Sequence, residues 1–150
     1  MIDAIRAQSA AHLARADGVP WKRFEDETRH TVTDYAGVRR TDKGLRLAIQ
    51  TLRALAQREP QLEADDLHGL MRVHEAKNVR LNAEIMATAS LARTETRTGS
   101  AHWRLDYPQP DEKNWRKFVV VACGTDGPMT RTLSTDRPLA DAFTRSAATV

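Results

Sequence analysis

A mainly α fold, a three- or four-helix antiparallel bundle followed by a small C-terminal β-hairpin, is predicted for this 150-residue chain by three observations. Apolar residues recur every three to four positions through several long segments, the spacing that lines one face of a helix. Glycine and proline punctuate those segments at Gly18, Pro20, Gly37, Pro60 and Gly99. Only near the end does the pattern change, to an apolar run Phe118 to Cys123, a Gly124-Thr125-Asp126-Gly127-Pro128 turn and a second run Met129 to Leu133, which reads as a hairpin.

The first helix is expected over Ile2 to Arg15, with Ile2, Ile5, Ser9, His12 and Leu13 at helical spacing, ending near Gly18. Pro20 then sits in the first turn of a second helix, Trp21 to about Tyr35, whose apolar positions Trp21, Phe24, Thr28, Val32 and Tyr35 repeat at three to four residues. Thr41 or Asp42 can cap a third helix by accepting hydrogen bonds from the first free amides. Its apolar face runs through Leu45, Ala48, Ile49, Leu52, Leu55 and Ala56 until Pro60 stops it. The fourth helix is expected from Ala64 to about Thr98, with Leu67, Leu70, Met71, His74, Val79, Leu81, Ile85, Ala89 and Ala92 as its apolar face. A helix of this length is held by packing along its side rather than by propensity, and its alanines would let a neighbour approach closely. The tail after Ser134 holds one weak helical turn beyond Pro138 at most. The chain is therefore expected to be one domain over residues 1–150: a bundle over about 2–98, a turn at 99–117, and a hairpin and tail at 118–150.

Composition narrows function by exclusion. Apolar residues at 41% and charged residues at 29% describe a globular chain, not a disordered one. The 23 basic and 20 acidic residues are interspersed, whereas nucleic-acid binding asks for a basic stripe with stacking aromatics, so no nucleic-acid partner is expected. The single cysteine, Cys123, can form no internal disulfide and, in its apolar run, is expected to be a buried, inert thiol. The longest apolar run is too short to span a bilayer and no charged-then-apolar leader opens the sequence. The reading is cytoplasmic, or peripheral to a membrane through a partner, with no direct insertion. No G-x-G-x-x-G follows a strand, no C-x-x-C or G-x-S-x-G occurs, and the five histidines show no metal-ligand spacing, so no metal site is expected.

What remains is the stretch Leu91 to Lys117, LARTETRTGSAHWRLDYPQPDEKNWRK, which holds two of the three tryptophans in a chain only 5% aromatic. Ala92-Arg93-Thr94-Glu95-Thr96-Arg97, then Gly99, His102, Arg104, Asp106-Tyr107-Pro108, Asp111, Asn114-Trp115 and Lys117 resemble the C-terminal helical domain of succinate dehydrogenase and fumarate reductase flavoproteins. L-aspartate oxidase and the adenylylsulfate reductase flavoprotein are similar relatives. A second stretch, with Thr31, Ala36, Gly37, Val38, Arg40, Gly44 and Leu45, is similar to the segment these flavoproteins place between the first bundle helices. The chain departs from the pattern at Thr96, where serine is usual, and at Phe118, where a second histidine would stand. It also has four residues, Thr98 to Ala101, between Arg97 and His102, where the commonest form has only Gly-Ala.

The resemblance implies a C-terminal domain or small subunit of an FAD-dependent oxidoreductase, packed on a flavin-binding domain or subunit and an iron–sulfur protein. It implies FAD in the parent enzyme or partner chain, none bound by this chain alone, and no catalysis by this chain on its own. The residues leave two readings of Arg93, Glu95, Arg97, His102, Arg104, Asp106 and Tyr107. Arginine forks suit a carboxylate and histidine can move a proton near neutral pH, which makes His102, Arg97 and Arg104 the catalytic candidates. Alternatively, Arg97 and Arg104 pair with Glu95 and Asp106 and pin the turn, leaving Glu95, Trp103, Asp106, Tyr107 and Trp115 as interface candidates. Trp103 and Trp115 are expected to be buried, and His74 to be a satisfied core residue. A free-standing helical interaction module without a redox role is the competing functional reading.

Overall fold

The computed structural model describes residues 2–125 and 127–135. Helix α1 spans Ile2–Leu13, α2 Trp21–Tyr35, α3 Asp42–Ala56, α4 Leu67–Ala92 and the single-turn α5 Glu112–Trp115. Strands β5 (Lys117–Gly124) and β6 (Gly127–Ser134) form the antiparallel hairpin, packed on α4. The mainly α bundle with a C-terminal hairpin is thus the observed architecture. Two parallel pairings of two residues each had no signature in the sequence: β1 (Val19–Pro20) with β3 (Leu62–Glu63), and β2 (Arg39–Arg40) with β4 (Trp103–Arg104). They clasp the corners where helices turn back.

Helix starts follow local chemistry. Thr41 Oγ1 accepts from the Gly44 amide at 3.1 Å and Asp66 Oδ1 from the Gly69 amide at 2.7 Å, each satisfying a donor the helix cannot. Pro20 lies at the N-cap of α2. The core is built where α2, α3 and α4 meet. Phe24, Leu52, Leu55, Leu62, Val73 and Ala76 form one cluster, and Ala36, Leu45, Ala48 and Ala87 a second. Each fully buried leucine or phenylalanine contributes roughly 1.5–3 kcal/mol relative to exposure.

Three expectations are corrected here. First, α4 is shorter and turned differently: it ends at Ala92, and its buried face is Val73, Ala76, Arg80, Ala83, Glu84, Ala87 and Ser90. Leu67, Met71 and Leu81 are 76%, 47% and 41% exposed. The inward stripe is made of small side chains that let α2 and α3 come close, together with Arg80 and Glu84. Those two can be buried because Arg80 Nη1 meets Glu84 at 2.7 Å, Arg80 Nε meets Glu59 at 2.6 Å, and Glu84 also takes Arg53. Apolar bulk was the wrong guide on a helix whose close packing needs small residues.

Second, Cys123 is exposed, because the far end of the hairpin extends past the part of β5 that is half-buried, Val119 to Val121. Third, α1 buries only His12, whose Nδ1–H donates to Leu62 O at 2.7 Å, while Ile2, Ile5 and Leu13 stay exposed. His74 is half-buried, with Ser9 Oγ 3.4 Å from its Nε2. The expected turn after Pro138 lies outside the described residues.

Candidate functional site

The end of α4, the turn after it and the start of β5 converge on a carboxylate. Glu95 is fully buried. Its Oε1 accepts from Arg93 Nη1 at 2.5 Å and Arg97 Nε at 2.8 Å, and its Oε2 from Arg97 Nη2 at 3.0 Å and the Asp111 amide at 2.9 Å. Burial by itself would raise its pKa; the bonds from Arg97, the Asp111 amide and Arg93 outweigh it and hold the carboxyl below its ordinary value. Arg93 Nη1 and Nη2 also donate to Trp115 O and Lys117 O, at 3.0 and 2.7 Å, and Arg97 Nη1 reaches Glu112 at 2.9 Å. One buried anion therefore fastens α4 to α5 and to the first residue of β5.

Arg104, 1% exposed, does the same on the other flank. Its Nη1 donates to Ser90 O, Leu91 O and Arg93 O at 2.9, 3.2 and 2.9 Å. These are carbonyls at the end of α4 left without intrahelical partners, and a cation is favoured there. Arg104 thereby caps the C-terminal end of α4, which stops at Ala92. Its Nε and Nη2 form a fork on Asp106 at 2.9 and 2.8 Å, and Asp106 Oδ2 in turn accepts from the Asp42 amide at the start of α3 at 2.8 Å. The Arg104 bonds hold the Asp106 carboxyl down at about 2. Thr96 Oγ1 takes the Arg104 amide at 2.9 Å, so the hydroxyl that serine would supply is retained.

His102 is buried between these two centres. A guanidinium can only donate, so Arg40 Nη1 at 3.0 Å makes Nδ1 the bare nitrogen, and Nε2–H donates to Arg93 O at 3.2 Å. Burial, then the nearby cations Arg40, Arg104 and Arg93, lower its pKa against the opposing pull of the Arg93 carbonyl. The imidazole is neutral at physiological pH and already spoken for at both nitrogens. Arg97 and His102 face each other across an antiparallel bridge, N to O at 2.8 and 3.3 Å, closing a tip at Thr98–Ala101 in which Ala101 adopts φ 52°.

Of the catalytic candidates, Arg97 and His102 line a common cavity of about 560 Å³ and Arg104 does not. Among the interface candidates, Glu95 faces the interior and does not reach the surface. Contrary to expectation, neither tryptophan joins the core: Trp103 is 37% exposed beneath Arg39, and Trp115 is half-buried with Nε1–H donating to Thr94 Oγ1 at 3.0 Å. The reason is their register. Trp103 lies on the two-residue clasp β4, where the Trp103 amide bonds Val38 O and the Leu105 amide bonds Arg40 O, and this corner of the fold carries the exposed apolar residues Val38, Trp103, Leu105 and Tyr107. Sequence reasoning missed Arg40 and Ser90 as parts of the site. Arg40 was visible in the Gly37-Val38-Arg39-Arg40 string, but 62 positions separate it from His102. Among the described residues no group of three or more His, Cys, Asp or Glu could hold a metal, and no helix is long and apolar enough to cross a membrane.

Comparison with known proteins gives the same pattern of likeness at three levels. The family described as fumarate reductase flavoprotein C-term matches residues 25–141. L-aspartate oxidase of Streptomyces coelicolor is 34% identical over 115 residues, 71% of this chain and 18% of the oxidase. The fumarate reductase flavoprotein subunit of Haemophilus influenzae is 23% identical over 136 residues, 83% of this chain and 22% of that subunit. In fold, a chain of E. coli quinol fumarate reductase superposes with a TM-score of 0.79 at 22% identity, covering 91% of this chain and 24% of that one. Adenylylsulfate reductase from Archaeoglobus fulgidus gives 0.74 at 24% identity, over 81% and 20%. The chain thus spans about a fifth of the length of the relatives it matches.

Proposed function

This chain belongs to the fumarate reductase flavoprotein C-terminal family, and from that membership we propose that it is the C-terminal helical domain, or a separately encoded equivalent, of an FAD-dependent oxidoreductase. In this reading it packs on a flavin-binding domain or subunit, with an iron–sulfur protein as a further partner, and does no chemistry alone. The whole enzyme resembles fumarate reductase or succinate dehydrogenase, exchanging hydride between flavin and a dicarboxylate. It works in the cytoplasm or at a membrane surface through its partner.

The observation that carries the proposal is the apolar corner. Val38, Trp103, Leu105 and Tyr107 are 55%, 37%, 58% and 41% exposed, yet they stand on backbone fixed from beneath by Arg104, Asp106 and Thr96. A rigid aromatic and aliphatic surface on an ion-paired base costs little ordering entropy when a partner covers it. Two further features support the division of labour. His102, Arg97 and Arg104 have their donors committed to protein acceptors. Among the described residues, β1 runs straight into α2 through Pro20, which has no amide proton, with no glycine loop there to cradle a flavin pyrophosphate.

The test is affinity capture of the chain from its native source, with the captured assembly read by mass and visible absorbance. A yellow complex containing a larger flavin-bearing polypeptide is expected, and Trp103→Ala with Tyr107→Ala should lose it. A colourless monomer, or a complex without flavin, refutes the redox assignment and leaves an interaction bundle.

A further inference from the structure

The cavity beside His102 carries more positive charge than the described residues neutralise. Arg40, Arg93, Arg97, Arg116 and Lys117 contribute to its wall, and no carboxylate does. Arg93 and Arg97 share Glu95, and Arg97 also takes Glu112. Arg40, Arg116 and Lys117 have no carboxylate partner among the described residues.

Arg40 is the most constrained of the three. Its Nε donates to Gly37 O at 2.5 Å, and its Nη1 to Ser90 Oγ at 2.8 Å and His102 Nδ1 at 3.0 Å. All three acceptors are neutral, so the charge stays whole, and Nη2 has no acceptor among the described residues. A guanidinium locked by three bonds has given up its rotamer freedom before any ligand arrives. Set in a concave wall, its field is focused rather than screened. Burial, and then Arg104 nearby, lower the Arg40 pKa, as for a cation lacking a counter-charge. Trp115, Phe118, Ala89 and Val119 give the same cavity an apolar side.

We propose that this cavity is an oxyanion-binding site, taking a ligand with more than one carboxylate or phosphate group, anchored on Arg40 and gripped at the rim by Arg116 and Lys117. Its volume of about 560 Å³ suits a small organic anion rather than a single ion, small-molecule sites spanning roughly 300–1,000 Å³. The site is separate from the apolar corner and needs no flavin, so it stands or falls apart from the redox assignment.

The test is calorimetric titration of the full chain with citrate and, separately, with inorganic pyrophosphate, at constant ionic strength set by sodium chloride. One saturable site is expected for at least one of them. The order of the two anions distinguishes carboxylate from phosphate as the recognised group. The double variant R116A/K117A changes two side chains that carry no ion pair among the described residues, Lys117 making a cation–π contact with Trp115, and should weaken binding about tenfold or more. Arg40→Met should abolish it, with circular dichroism confirming the fold. Absence of saturable binding for both anions, or equal affinity in R116A/K117A, overturns the proposal.

Discussion

Replacing Glu95 by glutamine removes the charge on which three donor groups of two arginines and one backbone amide converge. Breaking a buried ion pair by deleting one partner costs about 3–5 kcal/mol, because the remaining charges keep their desolvation penalty. Arg93 and Arg97 are 16% and 33% exposed at the side chain, so water can recover part of that loss and the lower end, about 3 kcal/mol, is expected. For a chain of this size that lowers the thermal midpoint by roughly 6–12 °C. Glu112, also paired to Arg97 but 66% exposed, is the internal control: Glu112→Gln should cost under about 1 kcal/mol. The loss also has a pH signature. The folded Glu95 pKa lies below its ordinary 4.5, so its stabilisation is complete above that value and drains away as pH falls through the folded pKa. Glu95→Gln should remove this part of the acid limb. Paired melts of wild type, Glu95→Gln and Glu112→Gln between neutral and acid pH decide the matter. A Glu95→Gln midpoint within about 2 °C of the Glu112→Gln one would show that the hub carries no stability and that this reasoning is wrong.

Three further outcomes are expected. Asp106→Asn should flatten stability between pH 4 and 2. The wild-type carboxyl titrates at about 2 in the fold against an ordinary 3.8, so its contribution is intact above 3.8 and lost toward 2, about 1 kcal/mol after discounting for its partly exposed side chain. His102→Gln should reduce the loss of stability on acidification from pH 7 to 5. A folded histidine pKa below its ordinary 6.5 means the unfolded chain takes the proton first, so stability falls with pH below 6.5; chemical denaturation at each pH measures it. Ala87→Leu should cost about 1–3 kcal/mol by thermal melt, because Ala87 is fully buried in the cluster with Leu45 and Ala48 and has no room for added methylenes.

The parts of this fold legible in the sequence are those decided locally. α2 and α3 announce themselves through Pro20, Thr41 and a clean apolar period, and the hairpin through its Gly-Thr-Asp-Gly-Pro turn. The parts that were not legible depend on distant residues. α4 looks helical to Thr98 by propensity, but Arg104 caps it at Ala92 from the far side of the turn, and nothing near Ala92 records that. Its inward face was misassigned because small residues and an ion-paired Arg80–Glu84 replace the expected leucines. In the site, the pairing of Arg97 with Glu95 and of Arg104 with Asp106 could be anticipated from proximity in the chain. Arg40 reaching His102, and the two short parallel clasps, could not, since each joins segments more than 40 residues apart.

The bridge between Arg97 and His102 has a practical consequence. Because those two residues bond each other, the strands entering and leaving the tip hold their separation whatever lies between them. Thr98, Gly99, Ser100 and Ala101 are all exposed, and a side chain built on Gly99 would meet nothing within 4 Å. The tip is therefore a splice point: an epitope or a fluorophore-bearing peptide inserted after Gly99 would hang in solvent while the anchored corner beneath kept its shape.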